Sequence, residues 1–354
     1  MAFHSLKIGE LSPKLPVIQG GMGVGISLSQ LAGSVAKEGG IGIISTAQIG
    51  FREPGFIKHP LAANLLALKK ELVAAREIAP YGIIGVNVMV ALSHYEEIVK
   101  AAIASGAQLI ISGAGLPINL PTFTKDTSVK AIPVISSARA ANIICHMWDR
   151  KYQVLPDSLI VEGPLAGGHL GFSQEELIKK PGLSTLVKTV KEAIMPYEEK
   201  YQKRIPIIAA GGIYNGLDVK KALLNGADGV QMATRFVTTY ECDAHPRYKK
   251  AYLSCRKKDI TLVKSPVGMI GRAIKNELIT HPCGNDTCLY HCLKKCEVTT
   301  IPYCISKALI AAQSDQLEHG LLFCGSNAYR ATKLEHVEAI MSEIAYQLSV
   351  IDNQ

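Results

Sequence analysis

No apolar run in the chain approaches the ~20 residues that a membrane-spanning helix needs; the longest are short pieces such as residues 41–44 and 205–210. The opening residues, Met1-Ala2-Phe3-His4-Ser5, lack a basic stretch followed by an apolar core. No secretory signal is read there, and a cytoplasmic location is expected. Low-complexity tracts and long linkers are missing, as are paired CxxC motifs. No nucleic-acid reader motif is present, and no aromatic residues interleave the basic ones, which argues against a nucleic-acid partner. The nine cysteines are odd in number; without an export signal, that favours reduced thiols over a disulfide framework.

What is present points to a large folded core. Of 354 residues, 48% are hydrophobic and 19% charged, a globular composition with room for one large barrel plus an appended segment, or for two ordinary domains. The net charge of +8 is unevenly spread: residues 245–297 carry eleven Lys and Arg against four acids. A locally basic segment suits an anionic substrate, a phosphate or an acidic carrier protein.

The dominant rhythm is a short apolar run, a Gly-rich turn and then an amphipathic stretch. Eight such runs occupy residues 17–19, 41–45, 82–90, 109–112, 132–136, 159–162, 207–209 and 229–232. Most lack polar alternation, as expected of strands buried on both faces. Helical patterns at 61–79, 95–105, 138–151 and 217–225 lie between them. Strands alternating with helices imply right-handed βαβ units and a parallel sheet, and eight units predict a closed (β/α)8 TIM barrel. Two regions break the rhythm. Residues 172–204, rich in Lys and Glu, are expected to enlarge one βα connection. After about residue 244 the alternation stops. The expected organisation is therefore a barrel over 1–244, a basic, Cys-containing cap over 245–304, and C-terminal helices over 305–354 that complete the barrel.

Barrels of this kind bind ligands at the C-terminal ends of their strands. After the first run comes Gln19-Gly20-Gly21-Met22-Gly23. The glycines admit close approach to a flat ligand, and Met22 offers a soft apolar contact; a plain tight turn is the alternative. Asn87 is a polar residue inside an apolar strand, either a ligand contact or a satisfied core amide. After the seventh and eighth runs come Ala210-Gly211-Gly212-Ile213 and Gln231-Met232-Ala233-Thr234. Two such neighbouring loops, each leading into a helix, predict a phosphate cradle. After the sixth run, Glu162-Gly163-Pro164-Leu165-Ala166-Gly167-Gly168-His169-Leu170-Gly171 places a histidine among glycines. An imidazole there can exchange a proton with a substrate carbon, or simply bond to the loop backbone.

In combination these motifs resemble the nitronate monooxygenase (2-nitropropane dioxygenase) family and its relative, flavin-dependent enoyl-acyl-carrier-protein reductase. The matching segments also include Gly39-Gly40-Ile41-Gly42, Ser112-Gly113-Ala114-Gly115 and Gly226-Ala227-Asp228-Gly229-Val230, and they run in order over residues 16–276. The resemblance implies non-covalent FMN. It puts Gly21 and Met22 at the flavin ring, and Asn87, Glu162 and Gly167 at the ring edge or ribityl chain. Gly211, Gly212, Gln231, Met232, Ala233 and Thr234 would hold the phosphate, with His169 the active-site histidine. There are departures. Glu162 stands where many relatives have Gln, and a carboxylate near the ring disfavours anionic reduced flavin. Pro164-Leu165 replaces a Glu-containing pair, and the segment after residue 276 differs from the commonest members.

That segment holds Cys283, Cys288, Cys292, Cys296 and Cys304. If 288–296 is helical, three of these thiols share one face, and a fourth could complete a zinc site or an iron–sulfur cluster. Reduced thiols packing a small lid are the favoured reading, with no metal assigned. The leading expectation for function is FMN-dependent oxidation of an anionic alkyl nitronate by dioxygen, giving a carbonyl compound and nitrite. The alternative is NAD(P)H-dependent reduction of an enoyl thioester on an acyl carrier protein. No separate dinucleotide-binding fingerprint is visible, but a flavin barrel can dock a nicotinamide transiently. A flavin-binding or metal-binding module without turnover is the third reading.

Overall fold

Isoleucine and valine dominate the short runs, and their branched side chains fit a pleated, two-sided buried surface. The computed structural model describes residues 5–179, 181–282, 288, 290–294, 296 and 301–350. Eight parallel strands close a barrel: β1 Val17–Gln19, β2 Ile41–Ser45, β3 Ile83–Met89, β4 Leu109–Gly113, β5 Lys130–Ile135, β6 Leu159–Glu162, β8 Ile207–Ala210 and β9 Gly229–Met232. The ring shuts through β9 against β1, with Ile18 opposite Gln231. The expected (β/α)8 architecture is the observed one.

Inside the ring, Ile18, Ile41, Ile43, Leu109, Ile111, Ile132, Ile160 and Ile208 form one buried cluster, which Leu6 and Ile8 join from the residues ahead of β1. Leu6 sits beside Gly229, the first residue of β9, so these two side chains close the bottom and leave the top for ligand. Helices pack tightly outside. A Cβ on Gly42 in β2 would lie 1.9 Å from the Ala32 carbonyl oxygen of helix Ser29–Lys37. Among the described residues no helix is long and apolar enough to cross a membrane.

The long connection after β6 holds a short strand outside the barrel, β7 Gly168–Leu170, and helices Gln174–Lys179 and Leu183–Tyr201. β7 pairs antiparallel with β11 (Ile270–Ile274), which pairs with β10 (Ile260–Lys264). The basic segment therefore contributes a hairpin, a feature that loss of the βα rhythm did not foretell. Its register sets Gly271 opposite His169 and Arg272 opposite Gly168.

Candidate active site

The strand ends and the C-terminal segments enclose a cavity of about 450 Å³. The structure brings Gly21, Met22, Asn87, Glu162, Gly167, His169, Gly211, Gly212, Gln231, Ala233 and Thr234 to its wall. Met232 is not there: its side chain is buried between barrel and helices, because strand alternation turns it outward from Gln231.

On the β1 side, Gln19 is fully buried and its side-chain oxygen accepts the Ile43 N–H at 3.1 Å, fixing the turn that follows. Gly21 lies flat against Asn87, and a Cβ there would fall 2.4 Å from the Asn87 Cβ. The Met22 N–H donates to Ser27 Oγ at 2.8 Å. The buried side-chain oxygen of Gln231 has no hydrogen-bond partner among the described residues. Leaving such a group unsatisfied is costly unless a ligand completes it.

Gly211 and Gly212 adopt φ of +95° and +86°, a region that disfavours any Cβ. A Cβ on Gly211 would also stand 2.9 Å from the Gly163 carbonyl oxygen. The expected cradle of helix N-termini is modified here. Helix Gly216–Leu224 is closed by an Asn215/Asp218 capping box, and Glu343 takes the Gly216 N–H. The helix beginning at Thr234 is only four residues long. The donors that remain are the N–H groups of Gly211, Gly212 and Ala233, unused within the described backbone, and the Thr234 hydroxyl. Thr234 Oγ1 accepts the Gly325 N–H at 3.1 Å, so its own proton is free for a ligand.

Gly325 belongs to a stretch the sequence reading missed. Phe323, Cys324 and Gly325 line the cavity while their neighbours tie down the loops: the Ser326 N–H bonds the Leu165 carbonyl at 3.1 Å, and Asn327 Nδ2 bonds the Gly212 carbonyl at 2.7 Å. A Cβ on Gly167 would meet the backbone of Cys324 at 2.5 Å. The one sequence signal was Gly325-Ser326-Asn327 after an apolar run. Tyr248 and Tyr252 both donate to the Phe323 carbonyl, at 3.1 and 2.5 Å, and the Phe323 ring meets the His169 ring edge-on at 4.9 Å.

His169 Nε2 lies 2.7 Å from Ser265 Oγ, in the loop joining β10 to β11. Enclosure between the hairpin and Phe323 holds its pKa down at about 4, so the imidazole is neutral at pH 7. Glu162, at the end of β6, borders the cavity. Burial pushes its carboxyl up to about 8, against the opposing pull of the Gly171 N–H and the Arg272 guanidinium. Arg272 itself donates to the carbonyls of Ala166 and Pro164, bracing the His169 loop. Among the described residues the wall contains no Lys or Arg. At neutral pH the described lining therefore carries no formal charge, and the described basic residues of 245–297 do not line the cavity.

The cysteines do not share a helix face. Leu293 bridges to Leu92, and the Ser93 N–H bonds the Cys292 carbonyl at 3.0 Å; the described part of 288–296 is extended or irregular. Cys288, Cys292, Cys296 and Cys304 are free thiols, and burial pushes Cys292 up to about 11. Among the described residues no group of three or more His, Cys, Asp or Glu is placed to hold a metal ion. Cys283 lies outside the described residues.

Comparison with known proteins accords with this architecture. A probable nitronate monooxygenase of Staphylococcus saprophyticus is 27% identical over 295 residues, covering 77% of this chain and 78% of that protein. The (3aS,4S,5R,7aS)-5-hydroxy-7a-methyl-1-oxo-octahydro-1H-indene-4-carboxyl-CoA dehydrogenase of Mycobacterium tuberculosis is 27% identical over 264 residues, covering 75% of this chain but only 64% of that protein. The structure of FabK from Thermotoga maritima superposes with a TM-score of 0.72 at 23% identity, covering 96% of this chain and 94% of that one, a likeness of fold. The family model for nitronate monooxygenase matches residues 4–347. The chain thus belongs to the nitronate monooxygenase family and is an oxidoreductase.

Proposed function

We propose that this oxidoreductase holds FMN and oxidises alkyl nitronates with dioxygen to a carbonyl compound and nitrite. The residues present fit that cofactor. A Gln231 oxygen without a partner among the described residues and the cavity-lining amide of Asn87 suit the polar edge of a flat ring, Gly21 and Met22 suit its face, and the positive-φ glycines with Thr234 suit a phosphate. When bound, FMN would supply the redox chemistry, accepting electrons from the substrate and passing them to dioxygen.

The observation that carries the reading is the charge state of the cavity. A nitronate arrives as an anion already stripped of its carbon proton, so it needs no strong acid. It does need a hydrogen-bond donor and the absence of a repelling carboxylate. His169 is neutral and Glu162 is protonated at pH 7. Within the described residues His169 uses only Nε2. In the tautomer in which Ser265 donates to Nε2, Nδ1–H is left to bond a nitro oxygen. For a neutral nitroalkane the opposite tautomer leaves Nδ1 to take the proton.

The anaerobic mixing of flavin-loaded protein with propyl-1-nitronate tests this. Bleaching of the flavin, followed by nitrite when air is admitted, is expected, and His169→Ala should retain flavin while losing turnover. One observation favours the second reading, NAD(P)H-dependent reduction of an enoyl thioester: the protonated Glu162 is a proton source beside the cavity. Bleaching by NADPH, with turnover only when an enoyl thioester is present, would decide for it. A cytoplasmic setting accords with the free thiols.

A further inference from the structure

Residues 323–327 form a strap that runs from the catalytic end of the site to its glycine loops. Phe323 bridges antiparallel to Ala273, and the Cys324 N–H donates to the Arg272 carbonyl at 3.0 Å. The strap thus starts on β11, with the Phe323 ring against His169. At its other end Asn327 Nδ2 donates to the Gly212 carbonyl at 2.7 Å. We propose that Asn327 is a positioning residue for the phosphate of the cofactor. It holds the loop of residues 211–213 with its N–H groups unspent, from a strap that also seats Phe323 on the catalytic histidine.

The accounting of N–H groups along this loop divides it in two. Those of Tyr214 and Asn215 donate to Asp218 at 3.0 and 3.3 Å, and that of Gly216 donates to Glu343 at 3.1 and 3.2 Å. Those of Gly211, Gly212 and Ile213 donate to no described backbone acceptor, and all three residues line the cavity. Three donors are therefore spent on carboxylates, and the preceding three are left for a ligand. In a trans peptide the N–H points opposite to the carbonyl. Fixing the Gly212 carbonyl on the strap therefore fixes the direction of the Ile213 N–H. Asn327 is the sole described donor to that carbonyl.

No cation shares the task. Arg235 is engaged by Glu335 and Glu343. Arg330, in the short helical turn that follows the strap, bonds Asp218 at 3.0 Å and lies over the Tyr214 ring at 4.5 Å. Neither lines the cavity. Recognition of a phosphate thus falls on neutral donors, whose strength depends on their direction. Two consecutive glycines at positive φ have many alternative conformations, and ordering an untied loop on binding would cost affinity. The Asn327 tie selects one conformation before the ligand arrives. The inference rests on the FMN reading above and extends it to a residue outside the cavity wall.

The test is fluorescence titration of the whole chain, freed of flavin, with FMN and with riboflavin, which lacks the phosphate. The parent should bind FMN more tightly than riboflavin. Asn327 is half-buried, and Asn327→Ala should shrink that preference by at least about fivefold, through weaker FMN binding. A smaller change in the preference, or an equal loss for the two flavins, would make Asn327 a plain structural tie and overturn the inference. A second measurement needs no variant. In the parent, hydrogen exchange at residues 211–213 and 323–328 should slow more with saturating FMN than with saturating riboflavin, and equal protection overturns the inference too. If the parent binds neither flavin, the cofactor reading fails and takes this inference with it. Binding with an unmoved preference sinks the inference alone.

Discussion

Replacing Glu162 by Gln keeps the shape of the side chain and removes its titration, which isolates one physical effect. In the folded chain the carboxyl sits at about 8, driven up by burial from an ordinary 4.5. Its folded pKa is raised, so the folded state binds the extra proton between these limits. Stability from this group is complete below about pH 4.5 and lost as pH rises through 8. The full shift corresponds to at most about 5 kcal/mol at 1.36 kcal/mol per unit. One face of Glu162 looks onto the cavity, and solvent there screens the effect, so about 2 kcal/mol is the expected size. The assay is urea unfolding of parent and E162Q at pH 5 and pH 9, followed through the single buried Trp148. E162Q should gain about 2 kcal/mol on the parent between the two pH values. Parallel pH dependences would refute the protonated carboxyl. The same protonation bears on function, because a neutral Glu162 does not oppose anionic reduced flavin as a carboxylate would.

Ser265→Ala removes the hydroxyl 2.7 Å from His169 Nε2. It should lower kcat on nitronate about tenfold with flavin retained, at a stability cost of about 1–3 kcal/mol, and unchanged turnover would refute the positioning role. Gly211→Ala forces a Cβ onto a φ of +95° and against the Gly163 carbonyl. FMN affinity, measured by fluorescence quenching on binding, should fall at least tenfold, about 1.4 kcal/mol or more. Arg235 is nearly buried and bonds Glu335 at 2.9 and 3.1 Å and Glu343 at 2.9 Å. Arg235→Ala should cost about 3 kcal/mol in chemical denaturation by stranding both carboxylates.

The barrel was legible in the sequence because its signal is local. Each strand is a short apolar run, four of them (β1, β4, β6 and β8) ending in or directly before glycine, and the eight runs reappear as β1–β6, β8 and β9. The glycines of the strand-end loops were legible for the same reason: a backbone that approaches a ligand or adopts positive φ excludes other residues in place. The sequence alone therefore determined the architecture, the face that carries the site and most residues of its floor. Only the tertiary structure decided how that site is closed and charged. Nothing local links His169 to Ser265, or Thr234 to Gly325, across about a hundred residues. The basic segment looked like an entrance for anions, yet none of its described Lys or Arg residues lines the cavity, and its hairpin contributes backbone and a serine instead. That Glu162 is protonated and His169 neutral follows from burial, which depends on what the fold lays over them; no sequence pattern encodes it.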